Sequence, residues 1–227
     1  WDLITGQQMY RLENGHCNGI TAMSLYCSIN SDPILITASA DETVAIWNLL
    51  SSQILRKLEG GHTDRIYSLA VYAPEQSMCA PLIITGGEDL TAVVWDLHSG
   101  QQLSKLTGGH TGTITSIAIY SPDDGISSPL ILTTSVDKTA ILWDLVTGVQ
   151  VRKLSGCHSS AVQCAAVYSP LHGRGSPLFL TGSMDKTAVI WDLWSSEHVR
   201  MLDGGHSKSI KAVAVYTPPN RAAGTPL

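Results

Sequence analysis

A tryptophan followed by an acid or an amide recurs along this chain at Trp1-Asp2, Trp47-Asn48, Trp95-Asp96, Trp143-Asp144 and Trp191-Asp192, at spacings of 46, 48, 48 and 48 residues. A second marker keeps the same step at His16, His62, His110, His158 and His206. Two markers in one register mean one structural unit copied in tandem, and this constrains the fold more than any bulk property. It also changes how each His and Asp is read. A residue that recurs in each unit belongs to the unit before it belongs to a unique active site.

Residues 62–108 show what one unit contains. Positions 66–72 are rich in β-branched, aromatic and aliphatic residues and read as a strand. Pro81 opens the short apolar run of 82–85, which reads as a strand covered on both faces. Gly86-Gly87-Glu88-Asp89 reads as a tight turn, 91–95 as a third strand, and 101–106 as an outer strand with one wet face. No helical stripe interrupts the pattern. A four-stranded antiparallel sheet this small has two apolar faces and cannot hide them alone, so the copies must stack, and twisted sheets stacked radially give a propeller.

Bulk properties narrow the function class. The 227 residues carry a net charge of −5, which gives no basic footprint for nucleic acid, and no apolar run is long enough to span a bilayer. Cys17, Cys27, Cys79, Cys157 and Cys164 form no C-x-x-C pair, which favours reduced thiols inside a cell, cytoplasmic or nuclear. The periodic histidines stand 46 to 48 residues apart without zinc spacing, and the adjacent pair Cys157-His158 reads as a chance substitution, so no metal or cofactor is expected. His, Thr and Asp in each unit do not make a hydrolase triad, because several identical buried copies do not converge on one cleft. The pairs Gly60-Gly61, Gly86-Gly87, Gly108-Gly109 and Gly204-Gly205 read as positive-φ turn glycines rather than phosphate cradles, since no helix N-terminus follows them.

The Gly-His … Asp-x-Thr … Trp-Asp grammar resembles the WD40-repeat family of β-propellers. The matching residues are His16/Asp41/Thr43/Trp47, His62/Asp89/Thr91/Trp95, His110/Asp137/Thr139/Trp143 and His158/Asp185/Thr187/Trp191. Asn48 and Cys157 are mild departures from the pattern, and the last unit stops before its Asp and Trp. Surplus length lies in the first connection of each unit, at 74–80, 122–128, 170–176 and 218–225. The expected architecture is all-β: a propeller of four-stranded antiparallel blades, here a partial array of four full blades plus two partial ones. Residues 1–227 read as one such array, cut mid-blade at both ends. Left unclosed, it exposes sheet edges and apolar faces, so in isolation it is expected to be poorly soluble or oligomeric; a monodisperse monomer in light scattering refutes this.

The resemblance implies a repeated side-chain network of His, Thr, Asp and Trp: His16, Thr37, Asp41 and Trp47; His62, Thr85, Asp89 and Trp95; His110, Thr133, Asp137 and Trp143; His158, Thr181, Asp185 and Trp191. It implies a non-catalytic scaffold or adaptor that binds other proteins or peptides, with no small-molecule substrate, nucleic acid or membrane. Partner contacts are expected on the narrow face, three and five residues after the repeat His and one before the repeat Asp. Arg65, Tyr67, Glu88, Gln163, Met184 and Lys211 are the candidates chosen there. The alternative is a regulatory or sensor segment of a larger protein, for example one carrying a kinase or NTPase domain. Two residues after each Trp-Asp acid stand Ile4, Leu50, His98, Val146 and Trp194, none of them basic, which argues against the ubiquitin-ligase adaptors of the family. Trp194, off the period, either anchors a partner or packs on its own turn.

Overall fold

The middle strands of each unit carry unbroken apolar runs because both of their faces are covered. A computed structural model describes residues 2, 4–28, 31–74, 80–122, 127–170 and 175–215. Among them are sixteen strands in four antiparallel sheets, and no helix. Blade 1 is β1 (Ile20–Tyr26), β2 (Ile34–Ser39), β3 (Val44–Asn48) and β4 (Gln53–Leu58). Blade 2 is β5 (Ile66–Tyr72), β6 (Leu82–Gly87), β7 (Ala92–Asp96) and β8 (Gln102–Leu106). Blade 3 is β9 (Ile114–Tyr120), β10 (Leu130–Ser135), β11 (Ala140–Asp144) and β12 (Gln150–Leu154). Blade 4 is β13 (Val162–Tyr168), β14 (Leu178–Ser183), β15 (Ala188–Asp192) and β16 (His198–Leu202). In each blade the strands pair in chain order. Trp1, Cys79, His172 and most of the first-connection loops fall outside the described residues, as does 218–225.

The core is a series of slabs between blades. Ile36, Val44 and Leu58 of blade 1 meet Ile83, Val93 and Trp95 of blade 2. The next residues along β6 and β7, Ile84 and Val94, face the other way and meet Ile131, Ile141 and Trp143 of blade 3. Leu132, Leu142 and Leu154 then meet Phe179, Val189 and Trp191. Side chains alternate faces along a strand, so one apolar run feeds two slabs.

Hydrogen bonds stitch the slabs at both radii. Near the axis, Thr21 Oγ1 donates to the Ile66 carbonyl at 2.5 Å and Thr115 Oγ1 to the Val162 carbonyl at 2.6 Å. On the outside, Arg56 donates to the His98 carbonyl at 3.1 Å and Arg152 to the Ser195 carbonyl at 2.9 Å. On its other side the first strand of blade 1 meets no preceding blade among the described residues. Ile20 is 53% exposed there, whereas its counterparts Ile66, Ile114 and Val162 are at most 1% exposed.

Two local expectations, both about glycines, are corrected. Gly86 and Gly87 end β6 rather than starting a turn, and neither has positive φ. A Cβ on Gly86 would come within 2.5 Å of Ile114 on the next blade, so the position is glycine for space and not for backbone freedom. Of the other pairs, only Gly60, Gly108 and Gly204 take positive φ; Gly61, Gly109 and Gly205 do not. Leu103 lies on the wet side of its outer strand, 55% exposed, while Ser104 and Leu106 face the next blade.

Candidate interaction face and the buried network beneath it

The recurring His, Thr, Asp and Trp form one relay in each blade. The Trp sits opposite the second strand, and its indole N–H donates to the Thr hydroxyl: Trp47 to Thr37 at 2.9 Å, Trp95 to Thr85 at 3.0 Å, Trp143 to Thr133 at 2.9 Å and Trp191 to Thr181 at 2.9 Å. The same oxygen lies 2.8–2.9 Å from Nε2 of His16, His62, His110 and His158. Each His Nδ1 lies 3.0–3.2 Å from its Asp. Only one proton assignment satisfies all these groups with short bonds. The neutral imidazole donates Nδ1–H to Asp, accepts at Nε2 from Thr, and Thr accepts from Trp.

The Asp is further held by its own turn. Asp137 accepts from the Thr139 hydroxyl at 2.6 Å, from the Thr139 N–H at 3.0 Å and from the Thr111 N–H at 2.9 Å. This explains the Asp-x-Thr spacing: the side chain closes a two-residue turn whose middle residue, Lys138, takes φ 71°. One set of framework residues was not singled out in sequence. Ser39, Ser135 and Ser183 cap the N–H of Asp41, Asp137 and Asp185 and donate to a carbonyl in the preceding loop. They recur at the period, but the second copy is Gly87, which masks the pattern. The Trp-Asp acid is a turn cap as well: Asp144 Oδ1 accepts from the N–H of Val146 and Thr147. Asn48 does the same through its amide oxygen toward Leu50 and Ser51, so that departure costs the fold nothing visible.

Burial raises the pKa of the Asp137 carboxyl, and the donors from Thr139, Thr111 and His110 outweigh it, for a net fall from 3.8 to about 2. Asp41, Asp89 and Asp185 are pulled below the ordinary carboxylate range under the same opposition. Burial lowers the His110 pKa below 6.5 against the raising pull of Asp137. Both kinds of shift act in one direction on stability. A group whose folded pKa is depressed binds its proton more readily when unfolded, so stability falls as pH drops below the unfolded value. The His110 contribution fades below pH 6.5, and that of Asp137, about 2 kcal/mol, fades from 3.8 down through about 2. Thermal melting should therefore move steadily lower from neutral pH toward pH 3, and a flat profile over that range contradicts the assignment.

Above this network lies the narrow face. In each blade the residue three after His is joined by backbone to the one before Asp: Ala40 N–H to Gly19, Glu88 to Arg65, Val136 to Thr113 and Met184 to Ala161, at 2.8–3.0 Å. The six candidates fall into two groups. In blade 2, Tyr67 is 39% exposed, and its hydroxyl, followed by the charges of Glu88 and Asp64, raises the Arg65 pKa further. In blade 4, Gln163 Oε1 accepts from Nζ of Lys211, in the segment that follows, at 3.3 Å, and Met184 is 44% exposed. Thr21 and Thr115, at positions equivalent to Tyr67 and Gln163, are taken up in bonds between blades. Trp194 reaches across to the neighbouring blade. Its ring meets Tyr120 of blade 3 edge-on at 5.8 Å and remains half exposed.

Among the described residues no group of three or more His, Cys, Asp or Glu is arranged to hold a metal ion, and no helix is long and apolar enough to cross a membrane. A search of curated proteins returned no match. The family model described as "WD domain, G-beta repeat" matches four consecutive segments, 6–48, 52–96, 100–144 and 148–192. Repeats of this family generally act as protein-interaction scaffolds. The matched segment 52–96 holds β4 together with β5, β6 and β7, so one sequence repeat gives the outer strand to one blade and three strands to the next. With its four sheets, its relay in each blade and four matched repeats, the chain belongs to the WD40-repeat family.

Proposed function

We propose that this chain is a non-catalytic platform that binds other proteins or peptides through its narrow face, with Arg65, Tyr67, Glu88, Gln163, Met184 and Lys211 among the contacts. The observation that carries this reading is a contrast within the chain. The relay positions hold the same residues in all four blades, whereas the face positions above them differ in each: Gly19, Arg65, Thr113 and Ala161 at one, Ala40, Glu88, Val136 and Met184 at another. A uniform frame carrying side chains that vary from blade to blade fits recognition. Catalysis finds less support, because the relay hydroxyls are buried and already donate or accept within the frame. The reading includes an intracellular location, cytoplasmic or nuclear, supported by the free and exposed thiols of Cys17 and Cys27.

The test is selection of a displayed random-peptide library on the chain, followed by binding to variants. Tyr67→Ala and Met184→Ala are expected to weaken the selected peptides about tenfold, and Leu103→Ala on the outer strand to leave them unchanged. Loss that follows Leu103 and spares Tyr67 and Met184 rejects the narrow face.

A further inference from the structure

The narrow face is electrically divided. Around blades 1 and 2 it carries Glu42, Asp64 and Glu88, with Arg65 among them and Lys105 already paired with the turn acid Asp89 at 3.6 Å. Around blades 3 and 4 and the segment that follows, the same turns carry Lys138, Lys186, Lys208 and Lys211. The acids beside Lys138 and Lys186, Asp137 and Asp185, are only 6% exposed and already engaged by His, Thr and backbone N–H groups, and Asp203 is the exposed acid of the connection before Lys208.

The backbone gathers three of these positions around one atom. The Ser183 carbonyl accepts from the Lys186 N–H at 3.2 Å and the Ile210 N–H at 3.0 Å. Met184 follows Ser183, and Lys211 follows Ile210 and reaches Gln163. Exposed Met184, Lys186 and Lys211 thus stem from backbone gathered at one carbonyl. Among the described residues, neither these two lysines nor Lys208 makes an ion pair. Cations whose neighbour is a neutral amide are open to an incoming carboxylate, and the unbranched Met side chain adapts to an apolar group laid on it.

Building on the proposed narrow-face reading, we infer that this half of the face docks an acidic linear segment, its carboxylates toward Lys186 and Lys211 and an apolar side chain on Met184. Charge complementarity selects this occupant: a basic segment meets repulsion here, and the divided face orients a chain that carries acids at one end.

The experiment is fluorescence anisotropy with a short labelled Asp/Glu-rich peptide bearing one central Leu. The comparison probes are its Lys-rich counterpart, a Leu→Ser version and a single-stranded oligonucleotide. The acidic peptide is expected to bind best and to weaken with added salt. Lys186→Glu with Lys211→Glu should cost at least about tenfold, and Met184→Ala or loss of the peptide Leu about threefold or more, while Leu103→Glu on the exposed outer strand changes affinity less than about twofold. Equal binding of the Lys-rich peptide or the oligonucleotide, or indifference to the double reversal, overturns the inference. All substituted side chains are exposed, and unchanged thermal melting confirms that the variants are folded. If library-selected peptides depend on Tyr67 but not on the two lysines, the narrow-face reading stands and this one falls. If they depend on neither, both fall.

Discussion

Thr133→Val is expected to lower the unfolding free energy by about 2–5 kcal/mol, the cost of leaving two buried polar groups without their partner. The substitution keeps shape and volume but removes the oxygen that binds Trp143 Nε1 at 2.9 Å and His110 Nε2 at 2.8 Å. Thr133 is fully buried, so water does not replace that oxygen. Thr133→Ser retains the hydroxyl and is expected to recover most of the loss, which separates the hydrogen bonds from the packing of the methyl group. Equilibrium denaturation followed by tryptophan fluorescence measures both variants. A loss below about 1 kcal/mol for Thr133→Val would falsify the view that the hydroxyl is the hub of the relay. Because adjacent blades share slabs, the effect should spread through the array rather than melt blade 3 alone.

The second large effect is expected at the seam between blades. Gly86→Thr places a Cβ within 2.5 Å of Ile114 and 2.7 Å of Ser68 Oγ, both buried, and should destabilise by about 2–3 kcal/mol through overpacking. The chain itself supplies the remedy. Seams here are triplets: Ala22, Ala38 and Ile66; Ser68, Gly86 and Ile114; Ser116, Thr134 and Val162; Cys164, Gly182 and Ile210. Where the middle residue is largest, at Thr134, the next blade presents Val162 instead of Ile. Combining Gly86→Thr with Ile114→Val copies that third triplet into the second seam and is expected to regain more than half of the loss. If the double variant is no more stable than the single one, complementary size is not what sets these positions. Recovery should be incomplete, because Thr134 also bonds Thr115 at 3.0 Å, and the corresponding residue in blade 2 is Tyr67.

These two sites show what the sequence exposes and what it conceals. The strands were legible because covered sheets demand apolar runs such as 82–85, and the relay positions because they repeat at a constant step. Gly86 was misread as a turn residue because glycine serves both backbone freedom and close packing, and only the neighbour 28 positions on, Ile114, tells the two apart. The covered side of β8 was equally ambiguous: Leu103 and Leu106 are chemically alike, but only the latter reaches the next blade. The partner of Trp194 is Tyr120, on the neighbouring blade and 74 residues back, so no local pattern points to it. The face positions were located by register alone. Their grouping into an acidic and a basic side emerges once the blades are set in order.

The offset between repeat and blade has a consequence for how such a chain grows. Copying the stretch from 52 to 96 never produces a free bead, because the copy begins with a strand that completes the sheet before it. Each duplication therefore arrives as a clasp, fastened to its predecessor by covalent chain and by a shared ladder of backbone bonds. Lengthening the array by whole repeats preserves every joint, while gain or loss of a single blade cut at its own borders breaks two.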